Sequence, residues 1–401
     1  MTDQPLSDVR VLDLSWYIAG PYCAKLLADY GADVIKVERP GEGDPARGMG
    51  PFHHDDPHPE KSGLFLFLNT NKRSITLNLK SETGKRILKD LVKDVDILVE
   101  SFSPSVMSGL GLDYATLERI NPALVMVSVS NFGQTGPYRD FKASELILYG
   151  MGGNMCSTGL GDAEPLKKGG NLVQYAGGTM AAVATMIALY GAEAGGVGDH
   201  VDISLMEVQM GSIERRMSEL LAYQYNNELT PRMDIAGLMQ FPFGIFPCKD
   251  GYVDVAAGFL WLDRLEGVLG IPLMERYGGA NHFNLDRREE FFEQIWFPWT
   301  MERTKKEIVE TCQKGRVLSA PVNTTGDLLD EVQLKERGFW AEIDHPVVGK
   351  VTCPGRPALS SELPWAIRRQ PPLLGQHNRE VYGRLGYSAE DLSKLKGIGV
   401  I

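Results

Sequence analysis

The 401-residue chain has little cysteine and no excess of positive charge. Its five cysteines are widely separated and form no C-x-x-C pair, so we expect reduced thiols packed as small apolar side chains, not a disulfide framework. The 41 Lys and Arg residues are outnumbered by 52 Asp and Glu, a formal net charge of −11. This balance disfavours a nucleic-acid-binding protein, although a local cluster of cations still suits a phosphate ligand.

Long apolar runs and metal-ligand spacings are also missing. No run of about 18 consecutive apolar residues occurs, so no membrane span is expected. The N-terminal segment lacks the charged-then-apolar pattern of a signal peptide, and we predict a cytoplasmic location. The seven histidines show no metal spacing, and three of them lie in a Pro- and Asp-rich stretch typical of a solvated loop, so we predict no metal site.

Glycine is abundant instead, at 44 of 401 residues, where roughly 7% is usual. The glycines are spread along the chain, which favours many tight turns over low complexity. With 43% hydrophobic and 23% charged residues, the composition is that of an ordinary globular protein. A chain of this length usually contains two or three domains.

The first 40 residues predict a strand–helix–strand unit. Residues 9–14 alternate apolar and polar, a helix with Pro21 in its first turn follows up to residue 30, and 32–38 form a second strand. Such a unit begins a parallel, doubly wound α/β sheet. The turn carries no G-x-G-x-x-G, so a dinucleotide is not indicated. Further strands are predicted at 74–79, 96–100, 124–129 and 201–205, and helices at 81–93, 114–120, 177–190 and 207–225.

The pattern changes after Asn227. Residues 243–247 and 252–256 flank Lys249-Asp250-Gly251, a turn signal typical of an antiparallel hairpin. A further hairpin is predicted around 347–351. The change indicates a second, smaller domain.

Six blocks of sequence together resemble one known family. The chain is similar over nearly its whole length to the family III CoA-transferases, the carnitine and bile-acid CoA-transferase family. The blocks stand in the family's order at 13–21, 26–41, 71–74, 132–138, 201–205 and 372–377.

The resemblance implies an α/β fold and a reaction. The expected fold is a large doubly wound (Rossmann-like) domain built from both chain ends, a smaller inserted α+β domain, and an interlocked dimer. On this chain the large CoA-binding domain would take residues 1–225, the small domain 226–325, and 326–401 would return to the large domain. Members move CoA from an acyl-CoA to a free carboxylic acid, and a few are acyl-CoA racemases. CoA or acyl-CoA is then a substrate, and no permanently bound cofactor is expected.

Cations near predicted strand ends suit the phosphates of CoA. Arg39 follows one predicted strand, and Lys72 and Arg73 come just before another. Ligands dock at strand ends in such sheets, and arginine forks match phosphate oxygens. The resemblance extends the predicted CoA contacts to Ile18, Ala19 and Phe102.

The family's nucleophile is replaced in this chain. In the family an aspartate attacks the thioester and forms a mixed anhydride. The matching stretch here is 170–180, and the position of the aspartate holds Gln174. An amide is neutral and poorly nucleophilic, and losing a covalent nucleophile costs on the order of 10⁶ in kcat in other enzymes. We predict that Gln174 is not a nucleophile; a slipped alignment that uses Asp162 is the alternative.

Two family cations are missing as well. After the strand ending at Glu100 the family usually has Asn-Phe-Arg-Pro-Gly, whereas this chain has Ser103 at the arginine position. A later family arginine is replaced by Gly109. Both changes remove charge from the expected CoA pocket.

The racemase pattern is also absent. The histidine that racemases of the family use corresponds to Ser144, and the aspartate to Gln174, so neither group titrates near neutral pH. Glu145 is interpreted as a structural acid and His200 as a turn residue.

Three hypotheses follow. The first is a subunit of a heteromeric CoA-transferase whose homologous partner supplies the aspartate; the family's succinyl-CoA:benzylsuccinate transferase pairs two related subunits in this way. The second is an active homodimer in which Gln174 polarises the thioester while the acceptor acid attacks directly. The third is a non-catalytic acyl-CoA-binding or regulatory protein.

Overall fold

The computed structural model describes residues 4–211, 214–229, 232, 241–257, 261–277 and 285–401. The chain forms two compact units. The first comprises Met1–Thr158, Pro165–Thr230 and Gly338–Ile401, and the second Gly159–Glu164 and Pro231–Arg337. The domain limits predicted from sequence stay predictions, because a cluster of contacts is not by itself a folding unit.

A six-stranded parallel sheet forms the centre of the first unit. Its strand order, β3-β2-β1-β4-β5-β6, is that of Rossmann-type domains and confirms the predicted doubly wound α/β fold. The strands are β1 (Arg10–Asp13), β2 (Asp33–Glu38), β3 (Lys72–Thr76), β4 (Ile97–Glu100), β5 (Val125–Ser130) and β6 (Asp199–Ser204).

Helices cover both faces of this sheet, which explains why its strands are near-continuous apolar runs; all six residues of β5 are buried. The first nine helices, which share the unit with the sheet, are α1 (Ala19–Asp29), α2 (Gly63–Leu68), α3 (Glu82–Val92), α4 (Ser105–Leu110), α5 (Tyr114–Glu118), α6 (Glu145–Met151), α7 (Leu172–Gly195), α8 (Leu205–Gly211) and α9 (Glu214–Asn226).

The long helix α7 lies against α1, β5 and β6. Among the helices of the described residues, α7 is long and apolar enough to span a membrane, judged by length and composition alone. A core helix meets the same criteria, and α7 buries Val173, Ala181 and Leu189 in the core of the first unit. The helix therefore carries no argument for membrane insertion.

One strand differs from its prediction. The alternation at 74–79 predicted a strand there, with Lys72 and Arg73 before it, but β3 spans Lys72–Thr76. Two charged residues can begin a buried strand here because each is paired with carboxylates, Lys72 with the buried Asp13 and Arg73 with the partly exposed Asp33 and Glu380. The prediction that both cations come just before the strand is wrong, because they are its first two residues.

The second unit contains an antiparallel sheet, β7-β8-β9, and its first two strands confirm the predicted hairpin. Its elements are β7 (Phe243–Cys248), β8 (Gly251–Ala256), α10 (Leu262–Leu269), α11 (Leu273–Tyr277), α12 (Leu285–Phe291), α13 (Phe297–Met301), α14 (Lys305–Lys314), β9 (Leu318–Pro321), α15 (Thr325–Asp330) and α16 (Val332–Glu336).

The chain then re-enters the first unit. A second hairpin, confirming the one predicted around 347–351, precedes two helices that pack beside β3 and α3. These elements are β10 (Trp340–His345), β11 (Gly349–Pro354), α17 (Asn378–Arg384) and α18 (Ala389–Gly397).

Candidate functional site

The strand order reverses between β1 and β4, so the loops that follow these two strands run in opposite directions. In open α/β sheets this divergence leaves a crevice at the carboxyl ends of the strands. Three side chains stand there: Trp16 follows β1, Arg39 follows β2, and Phe102 follows β4. We call this group the switch-point crevice.

The three side chains contact one another in sequence. The Trp16 and Phe102 rings meet edge to face with centroids 5.0 Å apart. The Arg39 guanidinium carbon lies 4.0 Å from the centroid of a Trp16 ring. Arg39 is 49% exposed at its side chain and pairs with the exposed Glu42 at 3.0 Å. A ligand with a nucleobase and phosphates can bind to such a group, because the aromatic faces suit the base and the exposed cation suits a phosphate.

The start of α1 borders the same crevice. Ile18 is the N-cap of this helix, and its side chain caps no amide. The first N–H groups of a helix have no intrahelical acceptor and favour an anion. The side chains of Ile18 and Ala19 are buried, so any contact with a ligand would come from their backbone.

A buried group of charges lies beneath the β1–α1 loop. The ammonium group of Lys72 donates to Asp13 Oδ2 at 2.8 Å, to the Pro21 carbonyl at 2.8 Å and to Asn69 Oδ1 at 3.0 Å. All three of its protons are therefore used inside the protein. Burial lowers the pKa of Lys72 to about 8.

Lys36 extends this group to the loop itself. Its ammonium lies 2.8 Å from Asp44 and donates to the Ser15 carbonyl at 2.9 Å. Asp44 in turn accepts the N–H of Tyr17 at 3.1 Å. Although burial opposes ionisation, Lys36 and Lys72 lower the pKa of Asp13. The loop that leads into α1 is thus held by fully buried ion pairs.

Arg73 is internal as well. It pairs with Glu380 at 2.8 Å and with Asp33. Of the three predicted phosphate-binding cations, only Arg39 has an exposed guanidinium group. Contact of Lys72, Arg73 or Arg39 with CoA stays a prediction, and the structure gives the first two a structural role.

Gln174 is the third residue of α7, and the helix start is held by Glu145. The Glu145 carboxylate accepts the N–H of Val173 at 2.9 Å and that of Gln174 at 3.3 Å. Lys167 lies 3.8 Å from the same carboxylate. Among the described residues, no hydrogen bond of the Gln174 side-chain amide is present. The side chain at this position is an amide, and its equivalence with a catalytic aspartate stays a prediction.

The start of α7 approaches the start of α1 closely. A Cβ placed on Gly178 would lie 2.5 Å from the Ala19 carbonyl oxygen, so only glycine permits this contact. One turn earlier the Tyr175 and Tyr22 rings meet edge to face at 4.9 Å. The structure thereby brings Gln174 to within one helical turn of the contact with Ala19.

The other predicted positions are exposed. Ser103 and Gly109 face solvent, and a Cβ on Gly109 would meet nothing within 4 Å. Ser144, the N-cap of α6, is exposed. Asp162, the alternative to Gln174, is exposed and belongs to the second compact unit.

Sequence reasoning missed a polar group on neighbouring strands. His200, interpreted as a turn residue, is the second residue of β6, and its Nε2 lies 2.9 Å from the Ser128 hydroxyl in β5. Ser128 is also a polar neighbour of Glu100, the last residue of β4, and favours the ionised form of that carboxyl group. Burial raises the pKa of Glu100 to about 7 and lowers that of His200. An acid ending an otherwise apolar strand was the available signal.

Comparisons with known proteins extend across both compact units. The family model of CoA-transferase family III matches residues 6–378. The succinyl-CoA:(R)-benzylsuccinate CoA-transferase subunit BbsE of Thauera aromatica is 32% identical over 99% of this chain and 98% of its own. The succinate–glutarate CoA-transferase of Agrobacterium fabrum is 33% identical over 96% of this chain and 98% of its own. A crystal structure of a CAIB/BAIF family protein from Brucella suis superposes with a TM-score of 0.83 at 29% identity, covering 96% of this chain and 100% of that one.

Proposed function

The chain belongs to CoA-transferase family III, and from this membership we propose that it is one subunit of a heteromeric CoA-transferase. The assembly moves CoA from an acyl-CoA such as succinyl-CoA to a free carboxylic acid, and a homologous partner subunit supplies the nucleophilic aspartate. The observation that carries the proposal is Gln174, an amide at the start of α7 where the family has its aspartate.

CoA binding is assigned to the switch-point crevice. Arg39 offers an exposed guanidinium for a phosphate, and the rings of Trp16 and Phe102 offer apolar faces to the adenine. The uncapped start of α1 adds backbone N–H groups beside Ile18 and Ala19. CoA is a substrate in this assignment, and the cytoplasmic location stays a prediction.

The chemistry explains why a partner is needed. In the family's route a carboxylate attacks the thioester carbonyl, the C–S bond breaks, and CoA leaves as a thiolate from a mixed anhydride. The thiolate then attacks the carboxylate's own carbonyl and frees the donor acid. An amide oxygen cannot form this anhydride without losing nitrogen, so Gln174 does not replace the aspartate.

An apolar stripe on α7 supports a partner chain. Val183, Ile187 and Tyr190 stand one turn apart and are 51%, 70% and 75% exposed. Exposed apolar rows of this size are typical of a protein–protein interface. A second family III chain interlocked with this one would cover the stripe, and the relative from Thauera aromatica is itself named as a subunit.

The test is CoA transfer by the purified chain alone and after co-expression with a family III homologue that carries the aspartate. Succinyl-CoA is the donor, and a panel of dicarboxylic and aromatic acids serves as acceptors. We expect no turnover from the chain alone and turnover from the pair, with a hydroxylamine-sensitive acyl-enzyme on the partner subunit only.

Two outcomes contradict the proposal. Turnover by the chain alone without a trapped acyl-enzyme would establish the homodimer with direct attack by the acceptor acid. Binding of CoA with no transfer in any pairing would establish the non-catalytic acyl-CoA-binding protein.

A further inference from the structure

Glu100 differs from the other buried carboxylates of the first unit. Asp13, Asp29, Glu38 and Asp44 each lie within 4 Å of a buried lysine or arginine. Glu100 is only 2% exposed, yet none of the ion pairs formed by the described residues includes it. A buried carboxylate without a cation is held in place by hydrogen bonds alone, so its protonation state responds to those bonds.

One of these bonds reaches the switch-point crevice. Glu100 Oε2 accepts the backbone N–H of Phe102 at 2.7 Å. The Phe102 ring contacts Trp16, and Trp16 carries Arg39 on its face. The neighbouring Ser101 hydroxyl accepts the N–H of Trp16 at 2.8 Å. The Glu100 carboxyl group is thus one of the groups that hold the turn after β4, together with the contacts of Ser101 and Phe102 with Trp16.

The other side of Glu100 faces two strands and a helix. Ser128 of β5 is the polar neighbour on this side, and its hydroxyl lies 2.9 Å from His200 Nε2. The imidazole stacks on Tyr114 of α5 at 5.3 Å. Asp202 of β6 is the charged neighbour acting on Glu100, and Asp202 and Asp199 act on His200.

The two protonation states of Glu100 differ at the bond from Phe102. That bond is stronger when Glu100 is ionised, because a hydrogen bond to a charged acceptor is the stronger kind. The two states therefore hold the turn with different strength.

From this geometry we infer that Glu100 is a positioning residue that sets the conformation of the Phe102 turn, so that ionisation of Glu100 tightens the grip of the switch-point crevice on CoA. The inference rests on the proposed function, in which CoA occupies that crevice. Burial raises the pKa of Glu100 to about 7, which brings the change into the neutral range.

The first measurement needs no ligand. In the full chain labelled with ¹⁵N-phenylalanine, the Phe102 amide signal is assigned by its loss in Phe102→Leu. Its proton shift is expected to titrate with a midpoint near 7 in the wild type and to stay constant in Glu100→Gln. Glu82→Gln, an exposed acid at the start of α3, is the matched control and should titrate like the wild type.

The second measurement is the affinity for free CoA by calorimetry across the same pH range. At each pH the affinity of the wild type for CoA is divided by that of Glu100→Gln. We expect this ratio to be about fivefold higher above the midpoint than below it. Comparison at each pH removes the ionisation of the CoA phosphates. His200→Gln is expected to move the midpoint and keep the titration.

Each contrary result has its own meaning. A Phe102 amide that does not titrate, or that stops titrating in His200→Gln and continues in Glu100→Gln, overturns the role of Glu100. A titrating amide with unchanged CoA affinity overturns the link to the ligand. A titrating amide without CoA binding at any pH contradicts the proposed function and supports the role of Glu100 in the turn.

Discussion

The two halves of the six-stranded sheet differ in whether their buried charged side chains are paired with opposite charges. Strands β1 to β3 contain four cations, of which Arg10 is exposed and Lys36, Lys72 and Arg73 are buried and paired with carboxylates, and Arg39 follows β2. Strands β4 to β6 contain no lysine or arginine at all. The one fully buried acid there, Glu100, forms no ion pair within the described residues and accepts a hydrogen bond from the N–H of Phe102.

The difference coincides with the predicted departures from the family's pattern. Ser103 and Gly109 follow β4, and Gln174 is the third residue of the helix that precedes β6. On these predictions the first half keeps its phosphate-binding cation, whereas the second half lacks two family cations and the nucleophile. A protein whose partner contributes the second set of groups has no need to keep its own, and this agrees with the proposed heteromer.

Of the substitutions that test this difference between the two halves, restoring a carboxylate at position 174 is expected to have the largest effect. Gln174→Asp should confer transfer activity on the chain alone, on the order of 10³-fold above the wild type, because an ionised carboxylate attacks a thioester and an amide does not. The assay is CoA transfer from succinyl-CoA with hydroxylamine trapping. Gln174→Asn, an amide of aspartate length, should stay inactive; equal activity of both variants would contradict the prediction.

Removing a cation from the first half should weaken the fold. Lys72→Met leaves Asp13 with one fewer partner in a fully buried site, and we expect a loss of about 3–5 kcal/mol in the free energy of unfolding. Urea denaturation at pH 7 measures it. Lys85→Met, which removes a lysine paired with the exposed Glu82, should cost less than about 1 kcal/mol. A similar loss in the free energy of unfolding of both variants would show that the buried ion pair stabilises the fold no more than the exposed one.

Neutralising Glu100 should increase the free energy of unfolding, the opposite of the effect expected for Lys72→Met. Its folded pKa of about 7 lies above the ordinary 4.5, so the stability contributed by its protonated form is lost as pH rises from about 4.5 to about 7. Glu100→Gln should therefore be more stable than the wild type above pH 7, by up to about 3 kcal/mol, and no more stable near pH 4. Urea denaturation across this range checks it, and a pH-independent difference would contradict it.

Adding a cation to the second half should have the smallest effect. Gly109 is exposed with open space around its Cβ position, so Gly109→Arg fits without strain. We expect CoA to bind about two- to fivefold more tightly, the gain typical of one exposed ion pair. Calorimetry with Gly109→Gln as the uncharged control measures it; equal affinity in the two variants would place Gly109 away from the CoA phosphates.

The fold was predictable from the sequence where a local pattern of residues is compatible with a single secondary structure. The strand–helix–strand unit at the start, the Ser81-capped helix α3 and the hairpin β7–β8 follow from alternation, capping and turn residues. The start of β3 was not predictable in this way. Lys72 and Arg73 look like loop residues until their carboxylate partners, distant in sequence, are known.

The same distinction applies to the site. The predicted replacement of an aspartate by Gln174 rests on the residues themselves, because an amide cannot act as the carboxylate nucleophile. The contact of α7 with Ala19 required the structure, although Gly177-Gly178 hinted at a close approach. His200 was misinterpreted because its partner Ser128 lies 72 residues away on the neighbouring strand.

By itself, then, the sequence determined the family and the parallel sheet and predicted a glutamine in place of the family's aspartate, since periodicity and side-chain chemistry are local properties. The tertiary structure decided which charges face a ligand and which face one another. Arg39 remains exposed at the switch-point crevice, while Lys72 is enclosed with Asp13 and Glu100 is enclosed without a cation. Burial and pairing depend on contacts between distant residues, and these exist only once the sheet has closed around them.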